Sequence, residues 1–182
     1  MRKFFAITAL GKDRPGIVAG VSKALFELGA NIEDSSMTIL KSEFAMILII
    51  STAQETKTSD FENHFKELTN KMGLFISVKD LGVDEIHSKK HYSGIPYVMS
   101  VIGTDKPGIV YKISELLASK GINITDLNTK VVSGERTPVY TMILELDVPE
   151  YVDINLLEEE LSVIEKEMAI DISIKEIEVL QL

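Results

Sequence analysis

Residues 11–34 read GKDRPGIVAGVSKALFELGANIED, and residues 103–126 read GTDKPGIVYKISELLASKGINITD. The two stretches align without a gap at a constant offset of 92 residues. Gly11, Asp13, Pro15, Gly16, Ile17, Val18, Gly29, Asn31, Ile32 and Asp34 recur as Gly103, Asp105, Pro107, Gly108, Ile109, Val110, Gly121, Asn123, Ile124 and Asp126. Solenoid repeats have periods of roughly 20–50 residues, so a period this long marks two copies of a whole domain. What recurs is mostly loop chemistry at the two ends of one helix, where folds keep their binding sites.

The flanking patterns extend each copy into the same unit. Residues 3–10 are apolar and β-rich, and residues 16–28 put Ile17, Val21, Ala24 and Leu28 on one helical face, stopped by Gly29. Residues 31–41 and 44–52 read as strands joined at Lys41–Ser42–Glu43. Residues 59–72 place Phe61, Phe65, Leu68 and Met72 on a second helical stripe, and residues 74–83 form a closing strand. The second copy repeats the order, with strands at 96–103, 122–133, 138–147 and 170–180. Its helices span 108–120 and 153–168, and its hairpin turns around Gly134. The order βαββαβ predicts a ferredoxin-like α+β layer, four antiparallel strands with two helices on one face. The domains are expected at 1–86 and 95–182, joined by a polar linker at 87–94, HSKKHYSG.

One strand strains against an isolated layer. Phe44–Ile50, FAMILII, is apolar without alternation. A strand with one solvated face should alternate. The face away from the helices is therefore expected to be covered, by the other unit or by another chain, and a homo-oligomer is expected.

Composition narrows the function. The chain has 182 residues, 45% of them hydrophobic, and no cysteine. A disulfide framework and a thiolate metal site are excluded, and a reducing cytoplasm fits. The N-terminal MRKFFAITAL resembles a signal peptide for a few residues only and reads as a strand. No run approaches the roughly 18 apolar residues of a membrane span, so no membrane association is expected. Net charge is −9, and residues 1–90 hold 12 basic and 12 acidic residues. The remaining 7 basic and 16 acidic residues put the whole imbalance in the second half. Neither half offers the basic footprint that direct nucleic-acid binding needs.

The recurring motif G-x-D-x-P-G lies where a strand ends and a helix begins. Its leading glycine permits the turn, and its proline suits a first helical turn, where a missing N–H costs nothing. Gly16 and Gly108 remove a side chain where backbone N–H groups lack partners. Such donors at the positive end of a helix suit a carboxylate. Asp13 and Asp105 read either as helix N-caps or as partners for a ligand ammonium. Gly29 and Gly121 read as left-handed C-caps. Asn31 and Asn123 offer both donor and acceptor, which suits an amino acid's backbone; the alternative is an Asx-turn at the strand entry.

No catalytic constellation assembles. His87 and His91 have i,i+4 spacing but sit among lysines without a carboxylate pattern, so no metal site is expected. His64 reads as a surface residue beside the helical stripe. Glu158, Glu159 and Glu160 read as a solvated helix face. Ser35 and Ser36 lack a histidine partner in any known motif. GKDRPG lacks the G-K-[ST] ending of a phosphate loop. No cofactor and no catalytic residue are expected, and the chain reads as a non-enzyme.

DRPGIV followed by GANIED, inside βαββαβ, resembles the ACT domain, a family of small regulatory modules that commonly bind amino acids. The resemblance spans nearly the whole chain in two copies. In the first copy ITALGKDRPGIV, NIEDSSMTIL and EFAMILII resemble the tandem ACT subfamily of glycine cleavage system transcriptional repressors. The resemblance implies cytoplasmic, amino-acid-responsive regulation through a protein partner such as a transcription activator. It implies a small amino acid, glycine or serine foremost, held between adjacent units by the first strand–helix loop and the start of the second strand. Carried over, these positions are Asp13, Pro15, Gly16, Ile17, Asn31 and Ile32, with Asp105, Pro107, Gly108, Ile109, Asn123 and Ile124. Two alternatives stay open: a ligand-free scaffold that dimerises and carries a partner, and a detached regulatory subunit of a metabolic enzyme.

Overall fold

A computed structural model describes residues 2–53, 55–82, 94–132 and 138–177. The chain divides into two compact units, Met1–Lys90 and His91–Leu182. The linker expected at 87–94, except Gly94, and the turn expected at Gly134 lie outside the described residues.

The first unit runs β1 (Arg2–Lys12), α1 (Ile17–Glu27), β2 (Asn31–Leu40), β3 (Glu43–Ala53), α2 (Thr58–Met72) and β4 (Phe75–Leu81). The second runs β5 (Ile95–Thr104), α3 (Ile109–Ser119), β6 (Asn123–Val132), β7 (Val139–Val148), α4 (Ile154–Met168) and β8 (Ile170–Glu176). Each unit holds one four-stranded antiparallel sheet, in the orders β2-β3-β1-β4 and β6-β7-β5-β8. Both are the expected βαββαβ layer.

Helical periodicity aims the same stripe inward in both units. Ile17, Val21, Ala24 and Leu25 of α1 are buried, as are Ile109, Ile113 and Leu117 of α3. They pack on alternate strand residues, Phe5, Ile7 and Ala9 in one unit and Tyr97, Met99 and Val101 in the other. In the first unit Phe5 meets Phe61 of α2 with ring centroids 4.8 Å apart at 60°, a favoured tilted geometry.

Helix ends follow the sequence closely at one terminus. Gly29 and Gly121 have φ of 64° and 73°. Gly29 N–H donates to Phe26 O and Ala30 N–H to Leu25 O, both at 3.0 Å. Gly121 to Ala118 and Ile122 to Leu117 repeat the pair, also at 3.0 Å. Both ends are Schellman motifs, which satisfy carbonyls the helix leaves open. At the start of α4, Asp153 caps the N–H groups of Asn155 and Leu156 at 2.9 and 3.4 Å.

Burial along β3 alternates from Ile47 to Ile50, where Leu48 and Ile50 are buried and Ile47 and Ile49 are not. Phe44, Leu48 and Ile50 are buried toward the helices, while Ile47 points away and is 48% exposed. Leu10 and its cross-strand partner Phe75 share that outward face at 50% and 68% exposure. The apolar run thus supplies two faces, and the outward one remains open at these positions.

Where the second helix ends, the copies differ. The first unit places Gly73 at the C-cap of α2 with φ of 66°, and the second places Ala169 at the C-cap of α4 with φ of 53°. A Cβ in the left-handed region costs about 1–2 kcal/mol, and glycine gives part of that back through unfolded-chain entropy. Ala169→Gly should therefore stabilise the second unit by about 0.5–1 kcal/mol, read as a higher urea midpoint at unchanged slope.

Candidate functional site

The loops between β1 and α1 and between β5 and α3 have nearly the same backbone. Gly16 and Gly108 are the N-cap residues, at φ 96°, ψ −7° and φ 99°, ψ −7°. These angles match the third position of a type II turn, where glycine is needed, and proline commonly precedes it. Pro15 and Pro107 fill that preceding position. The prolines therefore stand just before the helix and not in its first turn, as the sequence had suggested.

Asp13 and Asp105 do not cap the helices. No side chain caps α1 or α3. Asp13 is held by its backbone instead, its N–H donating to Ser42 O at 2.7 Å in the β2–β3 turn. The cap reading fails because the glycine takes the N-cap position three residues later. Both aspartates are exposed, as are Pro15, Gly16, Pro107 and Gly108. Ile17 and Ile109 are 2% and 1% exposed and belong to the cores. Of these two residues, only the backbone N–H could meet a ligand.

The leading glycines do not turn the chain. Gly11 and Gly103 lie in strands. A Cβ on Gly11 would come within 2.8 Å of Leu74 Cδ2 and 3.2 Å of Gly73 O. A Cβ on Gly103 would meet Ile170 Cα at 2.8 Å and Ala169 O at 2.9 Å. These glycines let the first strand pass close beneath the end of the second helix.

A brace crosses that close approach in each unit. Arg14 Nη2 donates to Met72 O, and Lys106 Nζ donates to Met168 O at 2.8 Å. A cation on the last carbonyls of a helix satisfies an open acceptor and opposes the helix dipole. Arg14 and Lys106 thereby fix the loop to the far helix. The sequence carried a signal for them: both copies place a basic residue between aspartate and proline.

Beneath the loop the copies diverge. Gly11 pairs with Phe44, whereas Gly103 pairs with Tyr140. Tyr140 is 7% exposed, and its hydroxyl donates to Met142 Sδ at 3.4 Å. Burial, and then the nearby Asp105 carboxylate, push its phenol above the usual tyrosine range. On the helix faces, Gly20 leaves space that Leu68 fills. The matching Lys112 pairs with Glu167 at 2.6 Å.

Asn31, Ile32, Asn123 and Ile124 sit at the other end of their units. Asn31 pairs with Ser51, which also faces Phe4 near the start of β1. The 11 residues of α1 separate this end from Gly16 by roughly 16 Å. A single unit therefore does not bring both halves of the expected ligand set together. Asn31 forms no Asx-turn; its amide donates to Glu33 Oε1 at 3.0 Å. Ser51 Oγ meets the same oxygen at 2.5 Å, and Arg2 lies 3.5 Å from it. These bonds, led by Ser51 and then Asn31, hold the Glu33 carboxyl below the usual glutamate range.

His64 is exposed, its Nδ1 2.8 Å from Asp60 O. His87 and His91 lie outside the described residues. Among the described residues no three potential ligands cluster for a metal, and no helix is long and apolar enough to cross a membrane.

Lys106→Ala should cost the second unit about 1 kcal/mol through loss of the helix-terminal cation. Thermal unfolding should show the loss, and Lys106→Arg should restore it.

Comparison with known proteins agrees with this architecture. A Listeria innocua UPF0237 protein is 46% identical over 86 residues, covering 93% of that protein and 47% of this chain. A Methanopyrus kandleri UPF0237 protein is 40% identical over 80 residues, covering 80% of it and 44% of this chain. Both are the length of about one unit. A Galdieria sulphuraria protein of unknown role superposes with a TM-score of 0.78 at 28% identity, covering 98% of this chain and all of that one. A provisionally named glycine cleavage system transcriptional repressor gives 0.67 at 21% identity, covering 98% of this chain and 99% of that one, a likeness of fold. The ACT domain model matches residues 3–79 and again 96–175, so the chain belongs to the ACT family of regulatory domains as a tandem pair.

Proposed function

We propose that this protein is an amino-acid-responsive regulator, without catalytic activity of its own, that controls transcription in glycine and one-carbon metabolism through a protein partner. The observation that carries the reading is the uncapped helix start behind Gly16 and Gly108, formed alike in both copies. Its first-turn N–H groups and positive helix end suit the carboxylate of a small amino acid such as glycine or serine. Asp13 and Asp105, exposed and free of capping duty, suit the ammonium. The asparagine half of the site has to come from another ACT unit, because each unit holds its own asparagine at the opposite end. Ligand binding would then bias how ACT units associate, by mass action. The glycine-metabolism assignment draws its support from the first-copy motifs and from the fold-level likeness to the named repressor.

A thermal-shift panel of the twenty amino acids should single out glycine, serine or another small member. Calorimetry should give a millimolar or tighter Kd. At least one of Gly16→Val and Gly108→Val should lower affinity at least tenfold while far-UV circular dichroism stays native, and unchanged binding in both would place the site elsewhere. A flat panel would overturn the sensor and favour the ligand-free scaffold.

The outward face at Leu10, Ile47 and Phe75 supports self-association within the same reading, because contiguous apolar patches beyond a few hundred Å² mark interaction surfaces. The expected species is a two-fold dimer or a higher even oligomer. Light scattering should give a mass above the monomer, and Ile47→Lys should lower it or cause aggregation. A monomeric mass across the concentration range would remove the assembly from the reading.

A further inference from the structure

The two asparagines that begin β2 and β6 face different surroundings. Both strands carry a bulge at their third residue: the register of β2 skips Glu33, and that of β6 skips Thr125. A bulge re-aims the extra side chain. In the first unit it brings the Glu33 carboxylate onto three donors, the Asn31 amide at 3.0 Å, the Ser51 hydroxyl at 2.5 Å and Arg2 at 3.5 Å. Ser51 is 2% exposed, so its hydroxyl is fixed in place. Hydrogen bonds to an ionised acceptor are short and strong, and this set lowers the Glu33 pKa.

The second unit has none of this. Thr125 brings no charge, and Asp147 stands where Ser51 stood, opposite Asn123. The Asp147 Oδ1 accepts the Gly94 N–H at 3.1 Å instead. Among the described residues, no side chain or backbone group takes the Asn123 amide.

We infer that Glu33 is a resident carboxylate that fills the asparagine end of the first unit, so that Asn123 alone reads an amino acid ligand. Resting on the sensor reading above, this makes Glu33 a specificity-determining residue. A ligand carboxylate approaching Asn31 would compete with a carboxylate already bonded there, and would meet its like charge. At Asn123 it finds an unengaged amide and a neutral threonine, and the Asp147 carboxylate opposite is turned to the Gly94 N–H and not to the asparagine. The chain then takes one ligand where its repeat suggests two.

The test is calorimetry of the full chain with glycine and with L-serine, together with NMR exchange of the two asparagine carboxamides. Asn123→Ala should lower affinity at least tenfold, and Asn31→Ala should change it less than twofold. Glu33→Thr, which copies the second unit, should raise the stoichiometry from one ligand per chain to two. Equal losses from Asn31→Ala and Asn123→Ala, or an unchanged stoichiometry in Glu33→Thr, would overturn the inference. The exchange measurement needs no ligand. The Asn31 carboxamide should exchange more slowly than that of Asn123 and lose the difference in Glu33→Thr; equal rates in the natural chain would overturn the inference by themselves. If neither amino acid binds while the exchange rates differ as expected, the sensor reading fails and the occupancy by Glu33 stands.

Discussion

The close passage at Gly11 and Gly103 is the constraint on which each unit depends. A central strand ends there with backbone and side-chain atoms of the second helix's exit within 3.2 Å of where a Cβ would sit. At Gly103 the backbone comes closer than a Cβ tolerates, and at Gly11 a Cβ would press on the Leu74 side chain and sit tightly against Gly73 O, so glycine relieves the approach in both copies and is most strictly needed in the second. Because the helix exit lies so near, the basic residue three positions on, Arg14 or Lys106, reaches its last carbonyl. With the loop anchored on that side, the proline–glycine turn delivers the first helix at a fixed angle and leaves its first-turn N–H groups facing outward. Site geometry and core packing follow from the same short contact.

How much of this was legible depends on whether the cause was local. The βαββαβ order and the buried stripes were readable, because periodicities of 3.6 and 2 are written along the chain. So were the Schellman ends at Gly29 and Gly121, whose hydrogen bonds span only a few residues. Gly11 was misread as a turn residue because its crowding comes from Leu74, beyond the second helix and invisible in local sequence. The cap alternative for Asp13 came from residue type, although the glycine three residues on takes that place. Asn31 is the same kind of case: its partner Glu33 faces it only because a bulge turns the strand, and a bulge leaves no residue-type signal here. Arg14 and Lys106 were legible in principle, since repetition preserved their charge.

Repetition also separates requirement from drift. Two of the three positions that hold a left-handed backbone around the helices, Gly16 with Gly108 and Gly29 with Gly121, are identical in both units. Positions that only fill space have moved: Gly20 has become Lys112, which exchanges a close helix contact for an ion pair. Gly73 has become Ala169, with the left-handed angle retained at an energetic cost. Backbone geometry has thus been kept where side-chain chemistry was allowed to diverge.

The buried Tyr140 has a consequence for how this molecule can be watched. All seven phenylalanines fall in the first unit, all five tyrosines in the second, and the chain has no tryptophan. Near-ultraviolet absorbance at 280 nm and intrinsic emission therefore arise from the second unit alone, and the first is optically silent there. Tyr97 and Tyr140 sit in the core and beneath the Asp105 loop, so the signal senses that unit's packing and the neighbourhood of its candidate site. An unfolding curve followed by tyrosine light and one followed by backbone dichroism report different bodies, and any gap between them measures how independently the two copies melt.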